Sequence, residues 1–340
     1  MKPDICRELI DHPSAWTAEG LGGVEGLRYP LSENVLSAID DVLKKTSHLK
    51  PQAVSRFEFS HPQLDPTLRD LFEVIQNGRG AALISGLSPE RYSEEDLERI
   101  YWGFGTHWGI AGVQSAMGDR LGHVRAEPGN PNGRGYRSDK ELRPHTDPYE
   151  IVGLMCLQCS ETGGETRLVS GLALHNEISK LHPELLEPLY EGHFYAMDEA
   201  KDTATPLTQD KIPVYCFVDG KVSMHYGAGA IDNAVRIHGK ALSPAFDSAR
   251  KMLCDLAESD RLRLRFTLRP GEALVVNNFT TMHSRTNFTN SAQRQRHLLR
   301  MWLEVPNGRA VIPQFHRRTE AYYARQQKSA NHGNATPISG

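Results

Sequence analysis

Short stretches in which hydrophobic and polar residues alternate dominate the sequence. Between residues 262 and 268, leucine and phenylalanine occupy every second position, which is the pattern of a strand with one buried face. Asp219-Gly220 lies between two strand-like stretches and predicts a tight hairpin. Stretches with the length and composition of single strands are found at residues 81–86, 121–125, 151–159, 165–169, 214–218, 221–226, 262–268, 273–277 and 296–305.

Fewer stretches have the hydrophobic spacing of helices, namely residues 32–43, 93–107, 172–181 and 243–259. Ser32, Ser93 and Ser243 begin three of them, and a serine at such a position accepts a hydrogen bond from a backbone amide of the first turn. Many short strands, tight turns and few long helices predict a mainly β protein. We expect a double-stranded β-helix (jelly roll) core with flanking helices.

The length of 340 residues is large for a single domain, although β-barrel and sandwich enzymes of this size occur with insertions. Residues 1–75 are predicted to form an N-terminal helical and extended region that packs on the core. Residues 76–310 are predicted to form the jelly-roll domain, and residues 311–340 a C-terminal helix and a disordered tail, because the tail is rich in serine, asparagine and glycine.

Composition and charge narrow the classes of partner. Hydrophobic residues make up 39% of the chain and charged residues 24%, and the formal net charge is -3. This charge gives no electrostatic basis for binding nucleic acid, and no run of apolar residues is long enough to cross a membrane. The first residues also lack the apolar segment of a signal peptide. We therefore expect a cytoplasmic protein with a small-molecule partner; a homo-oligomer is compatible with the sequence.

The five cysteines show no disulfide-scaffold spacing. Cys156 and Cys159 have the spacing of a redox or zinc motif, but they lie in a stretch that is predicted to be a buried strand. Residues three apart in a strand point to opposite faces. On that geometry we interpret both cysteines as structural.

The segment Pro144-His145-Thr146-Asp147-Pro148 carries the first candidate chemistry. Side chains at i and i+2 of an extended segment point the same way, so His145 and Asp147 can hold one ion. A distant histidine, His283, would complete a set of two imidazoles and one carboxylate. Such a set occupies one face of an octahedral Fe(II) and leaves three positions open for chemistry.

Residues 128–135 precede this segment and are rich in glycine, proline and asparagine, which predicts a loop. Loops beside such sites are where binding residues concentrate, so this loop is expected either to cover the substrate or to be a simple surface excursion.

Several motifs, taken together, resemble the taurine dioxygenase/clavaminate synthase-like family of Fe(II)- and 2-oxoglutarate-dependent oxygenases. The resemblance covers about residues 80 to 305. It rests on motifs that occur in the order seen in that family, namely Pro144-His145-Thr146-Asp147, Gly163-Gly164-Glu165-Thr166, the stretch from Asn277 to His283, and the stretch from Arg296 to Leu303.

The resemblance implies a role for each matching residue. His145, Asp147 and His283 correspond to the iron ligands, which makes them the catalytic residues. Arg296 and Thr166 correspond to the residues that bind the distal carboxylate of 2-oxoglutarate, and a guanidinium group suits that task because it forms two parallel hydrogen bonds with a carboxylate.

The resemblance further implies Fe(II) as cofactor, 2-oxoglutarate as cosubstrate and O2 as oxidant. Oxidative decarboxylation would yield succinate and CO2 while an unactivated carbon of the substrate is hydroxylated. Because Asp147 is present, halogenation is disfavoured, whereas desaturation and oxidative cleavage stay open. Two alternatives remain at this point: a zinc hydrolase that uses the same three ligands, and a binding protein without catalysis.

Arg300 is a candidate substrate-binding residue. In an extended segment it shares a face with Arg296 and lies about 13 Å further along, too far to bind the same carboxylate. In taurine-oxidising relatives the matching arginine binds the anionic group of the substrate. We therefore expect a small substrate with a carboxylate, sulfonate or phosphate; an ion pair between Arg300 and an Asp or Glu of the protein is the structural alternative.

Overall fold

The computed structural model describes residues 3–114, 118–126, 137–197 and 206–320. In chain order the strands are β1 (Arg28–Pro30), β2 (Ala81–Ser85), β3 (Ile110–Ala111), β4 (Leu121–Arg125), β5 (Leu142–His145), β6 (Ile151–Gln158), β7 (Thr162–Gly163), β8 (Thr166–Ser170), β9 (Tyr215–Val218), β10 (Lys221–Met224), β11 (Arg263–Phe266), β12 (Ala273–Asn277), β13 (Thr281–Arg285), β14 (Phe288–Thr289) and β15 (His297–Glu304). The helices are α1 (Glu33–Thr46), α2 (Asp65–Gln76), α3 (Glu94–Trp108), α4 (Gly171–Leu181), α5 (Leu186–Glu191), α6 (Ala228–Arg236) and α7 (Pro244–Ala257).

Two sheets form the predicted jelly roll. The larger sheet has the strand order β1-β2-β12-β6-β15-β3, and β4 also pairs with β15. The smaller sheet has the order β11-β8-β13-β5. Apart from the parallel pair of β1 and β2, the strands of both sheets pair antiparallel. Strands that are distant in sequence are therefore neighbours in space.

A layer of apolar side chains fills the space between the sheets. Val152, Leu274 and Leu298 of the larger sheet pack in one cluster with Leu168 and Leu264 of the smaller sheet. Along β12, Leu274 and Val276 belong to this cluster, whereas Ala273 and Val275 belong to the cluster on the opposite face, as a face-to-face packing of two sheets requires. The alternation predicted at residues 262–268 agrees with this packing, because Leu264, Phe266 and Leu268 contribute to the same cluster.

Helices α1, α2 and α3 cover the other face of the larger sheet. Their apolar side chains cluster with Ile84, Met155 and Leu299, which point away from the smaller sheet. The predicted helix starts are confirmed: the Ser32 hydroxyl accepts a hydrogen bond from the amide of Val35, and Ser93 forms a capping box. Helix α2 was not predicted from the sequence.

The outer face of the smaller sheet is covered by α4 to α7 and by the hairpin of β9 and β10, which cluster with Val169 and Met282. The hairpin turn is at Asp219-Gly220, as predicted, and both residues have positive φ. Its two strands form a sheet of their own, separate from the jelly roll.

The N-terminal region packs on the larger sheet at two places, its edge and its helix-covered face. Strand β1 adds to the edge of that sheet beside β2, while α1 and α2 pack on its helical face. The division of the chain at residues 75 and 310 stays a prediction. Most of the segment predicted as a C-terminal helix and disordered tail, residues 321–340, lies outside the described residues.

Across the described ranges, every helix is too short or too polar to cross a lipid bilayer.

At Gly153 a side chain of α3 packs directly against the backbone of the larger sheet. A Cβ atom at this position would lie 2.1 Å from the hydroxyl of Tyr101, a side chain on α3 that is only 1% exposed. We expect Gly153→Ala to lower the free energy of unfolding by about 1–3 kcal/mol, because the buried ring must move. Urea denaturation measures this change.

The matched control is Gly229→Ala in α6, where a Cβ atom would meet nothing within 4 Å. Alanine is the better helix former, so this variant should be as stable as the parent or slightly more stable. Equal stability of Gly153→Ala and the parent would show that the close approach of α3 imposes no constraint.

Candidate metal and cosubstrate site

Strands β5 and β13 bring two of the predicted ligands together. His145 is the last residue of β5, and it lies directly opposite His283 in the antiparallel register of the two strands. Side chains of directly opposed residues extend from the same face of a sheet. The two imidazole rings are consequently close, with ring centroids 4.4 Å apart.

Asp147 follows two residues after the end of β5 and completes the group. Its Oδ1 lies 3.9 Å from Nε2 of His145, and its Oδ2 lies 3.7 Å from Nε2 of His283. One potential ligand atom from each of the three residues lies within 4.8 Å of the others. Asp147 and His283 are buried, while His145 is partly exposed. The structure thus brings together the three side chains that the sequence had indicated.

The protonation of the two histidines suits metal binding. Nδ1 of His145 lies 2.8 Å from the backbone carbonyl of Arg143. A carbonyl only accepts, so Nδ1 carries the proton and the lone pair of Nε2 is directed toward the group. Burial, together with the neighbouring His145, lowers the pKa of His283 to about 3, so its imidazole is neutral near pH 7.

The carboxylate is ionised despite its burial. Burial raises the pKa of Asp147, but His283, Arg300 and His145, with a hydrogen bond from Trp302, outweigh burial and lower this pKa to about 2. Two imidazoles and one carboxylate are the donor set of the facial triad that binds Fe(II) in oxygenases. The residues that are present therefore fit this ion.

Two residues to which the sequence gave no role hold Asp147 in place. The indole Nε1 of Trp302 donates a hydrogen bond of 2.8 Å to Oδ2 of Asp147. The side chain of Asn278 accepts from the amide of Asp147 at 3.1 Å and donates to the carbonyls of Asp147 and Tyr149. Both residues belong to the stretches that carried the family resemblance, which was the only sequence signal that could have singled them out.

A polar cavity lies at the start of β15. It is lined by Thr166, Arg296, Ser160, Gly164 and other residues of the two sheets. Arg296 is only 7% exposed, and burial lowers its pKa to about 10. Its guanidinium group stacks on the ring of Phe288, 5.3 Å from the ring centroid, but within the described part of the chain no carboxylate pairs with it. A buried cation of this kind needs an anionic partner.

The two cysteines of the Cys-x-x-Cys segment also line this cavity, which corrects the prediction that they point to opposite faces. Their Sγ atoms are 3.9 Å apart, and both are free thiols. The prediction assumed a regular strand through residue 159, but β6 ends at Gln158 and its register with β15 shifts there. Across the described ranges, neither thiol belongs to a group of three potential metal ligands.

Arg300 lies on the same face of β15 as Trp302, as the alternation had predicted. Its guanidinium stacks on the indole of Trp302 at 4.1 Å, and its Nε donates a hydrogen bond of 2.8 Å to Oε1 of Gln114. The positive charge of Arg300 is close enough to the three candidate ligands to help lower the pKa values of Asp147 and His283.

The loop that was expected at residues 128–135 lies outside the described residues. A second group of potential ligands, formed by Glu94, His123 and His297, lies at the edge of the larger sheet. There Arg125 donates to Nδ1 of His297 at 3.0 Å and pairs with Glu94 at 3.2 Å. A guanidinium group among these side chains opposes the binding of a cation.

Comparison with known proteins shows the family of this chain. Residues 45–302 match the family model described as "Taurine catabolism dioxygenase TauD, TfdA family". The taurine hydroxylase-like protein SAT17 of Stachybotrys chartarum is 28% identical over 309 residues, which cover 86% of this chain and 79% of that protein. FR-33289 synthase of Streptomyces rubellomurinus is 23% identical over 90% of this chain and 93% of its own length.

Solved structures with the same fold include an asparagine oxygenase in complex with Fe(II), 3-hydroxyasparagine and succinate. It covers 82% of this chain and 93% of its own, with a TM-score of 0.66 and 17% identity. The oxygenase OrfP in complex with Fe and alpha-ketoglutaric acid covers 82% of this chain and 94% of its own, with a TM-score of 0.60 and 13% identity. As the resemblance implied, the chain belongs to the TauD/TfdA family and is an oxygenase that depends on Fe(II), 2-oxoglutarate and O2.

Proposed function

We propose that this oxygenase hydroxylates an unactivated carbon of a small substrate that carries an anionic group, with release of succinate and CO2. His145, Asp147 and His283 hold the iron, and Arg296 with Thr166 binds 2-oxoglutarate. The observation that carries the proposal is the cavity that Arg296 lines together with Thr166, in which the buried Arg296 has no carboxylate partner within the described residues.

Three protein ligands would hold the ion and leave its other coordination positions for 2-oxoglutarate and O2. Iron with 2-oxoglutarate and O2 supplies the oxidising power, while the protein orients the reacting groups. The hydrogen bond from Nδ1 of His145 to the carbonyl of Arg143 orients the ring so that Nε2 faces the other two ligands. The low pKa of Asp147 keeps its carboxylate charged at the pH of the cell.

The cavity at the start of β15 fits the distal carboxylate of 2-oxoglutarate. Arg296 offers a fork of donors whose charge has no partner within the described residues, and Thr166 adds a buried hydroxyl on the facing sheet. Arg285 is a second cation near this place, opposite Thr166 in the pairing of β13 with β8; burial and the nearby charge of Arg296 lower its pKa to about 10. A zinc hydrolase would need the three metal ligands but not this anion site.

Arg300 is the residue proposed to bind the anionic group of the substrate. It is buried near Asp147 and His283, and its guanidinium is held by Gln114 and Trp302. Relatives of this chain include a uridine-5'-phosphate dioxygenase and gamma-butyrobetaine dioxygenases, and OrfP was solved with hydroxylated arginine. Amino acids and phosphate esters both present an anion to such an arginine, which supports a substrate of this class.

The first test concerns iron. Asp147→Ala should lose stoichiometric Fe(II) and the release of succinate, because a site with one of three protein ligands removed holds the ion weakly. Metal analysis after dialysis and a succinate assay with Fe(II) and 2-oxoglutarate, run across a panel of amino acids, sulfonates and phosphate esters, measure both. Full iron content and turnover in this variant would refute the ligand assignment.

The second test concerns 2-oxoglutarate. Arg296→Leu should raise the KM for 2-oxoglutarate by at least about 30-fold, since truncating one partner of a desolvated charge pair typically costs about 2–5 kcal/mol. Arg294→Leu is the matched control: the Arg294 side chain is 63% exposed, so its loss should leave that KM unchanged. Similar KM values for the two variants would place the cosubstrate anchor elsewhere.

The third test concerns the substrate. Arg300→Ala should raise the KM for an anionic substrate by at least about 30-fold, because the anionic group of the bound substrate would then be buried without a cationic partner. The KM for 2-oxoglutarate should stay nearly unchanged. Gln114→Ala, which removes a neutral contact of Arg300 but no charge, should have a smaller effect. An unchanged substrate KM with lowered stability in Arg300→Ala would show that Arg300 serves the fold and not the substrate.

A further inference from the structure

The indole of Trp302 makes a polar contact with the metal group from the opposite sheet. Trp302 lies on β15 of the larger sheet and is 3% exposed, whereas His145 and His283 lie on the smaller sheet. Its Nε1 lies 2.8 Å from Oδ2 of Asp147. Among the described residues other than the two histidines, Trp302 is the side chain that donates a hydrogen bond to the Asp147 carboxylate.

We propose that Trp302 is a positioning residue of the iron site, whose N–H holds Oδ2 of Asp147 so that a bound ion meets Oδ1. The proposal rests on the proposed function, because it takes Asp147 as a ligand. Trp302 itself does not touch the ion. It acts through the carboxylate.

The chemistry of the indole suits this task. Its N–H is a donor only and has no lone pair with which to bind a metal, so it competes with neither histidine. A carboxylate without this hydrogen bond has two equivalent oxygens in a buried site and can bind an ion through both. That second contact would use one of the positions that 2-oxoglutarate and O2 need.

Two neighbouring side chains stack on the ring and restrict the direction of the N–H. Tyr149 stacks on one side with ring centroids 5.6 Å apart and an interplanar angle of 26°. The guanidinium of Arg300 stacks at 4.1 Å from the ring centroid. The proposed substrate-binding arginine therefore also supports the residue that orients the iron ligand. This contact links the substrate end of the site with the metal end.

The test replaces the donor and keeps the shape. Trp302→Phe removes the N–H and retains an aromatic ring. Incorporation of benzothienylalanine at position 302 retains the bicyclic ring and replaces N–H by sulfur, which covers the case that the phenylalanine variant folds poorly. The matched control is Trp108→Phe, because the Trp108 indole is equally buried and donates at 2.9 Å to the carbonyl of Leu68, away from the site.

Anaerobic titration with Co(II) gives the affinity of the site, and the visible ligand-field spectrum of the bound Co(II) reports the number of coordinating atoms. We expect both changes at position 302 to weaken Co(II) binding by about 10- to 100-fold, the usual effect of removing a hydrogen bond to a metal ligand. We also expect an altered spectrum, which a general loss of stability would not produce. Trp108→Phe should match the parent in both measurements.

The outcomes separate this inference from the proposed function. If Asp147→Ala loses Co(II) while both position-302 proteins match the parent in affinity and spectrum, the role of Trp302 is refuted and the ligand set stands. If Asp147→Ala binds Co(II) as the parent does, the ligand set is wrong and the role of Trp302 falls with it. If affinity falls but the spectrum stays unchanged, Trp302 stabilises the site without setting how Asp147 binds, and the inference is overturned.

Discussion

The pairing of β5 with β13 is the constraint on which the rest of the site depends. It places His145 opposite His283, and a shift of one residue in either strand would turn one imidazole to the outer face of the smaller sheet. The same strand β13 pairs on its other side with β8, where Arg285 is opposite Thr166. One register thus aligns the candidate metal ligands with Thr166, the residue proposed to contact 2-oxoglutarate.

The site is also a set of charges buried between two sheets, and each charge needs a partner. Asp147 is stabilised by the histidines, by Arg300 and by the indole of Trp302. Arg296 has no such partner among the described residues, which is the reason for our proposal that it binds a ligand. The two ends of β15 therefore differ: near Trp302 the buried charges are paired within the protein, whereas Arg296 at the other end is proposed to pair with 2-oxoglutarate.

The outer layers hold this arrangement still. Helices α1 to α3 pack on the apolar outer face of the larger sheet, and α4 to α7 pack on that of the smaller one. Asn278 ties the backbone after β5 to the turn before β13 through three hydrogen bonds. Buried polar groups of this kind are costly unless fully bonded, so the bonds restrict the position of Asp147 strongly.

The sequence by itself determined the local features of this protein: the alternation that gives inward-facing strand residues, the serine caps of α1, α3 and α7, the Asp219-Gly220 turn, and the family motifs with their candidate ligands. These are predictable because they depend on residues that are close in the chain. Tertiary structure decided what depends on distant partners. The bond from Trp302 to Asp147, the role of Asn278 and the contact of Arg300 with Gln114 each join residues from different sheets or loops. The short distance between the Sγ atoms of Cys156 and Cys159 also depends on tertiary structure. It accompanies a register shift between β6 and β15, and that shift exists only when the two strands pair.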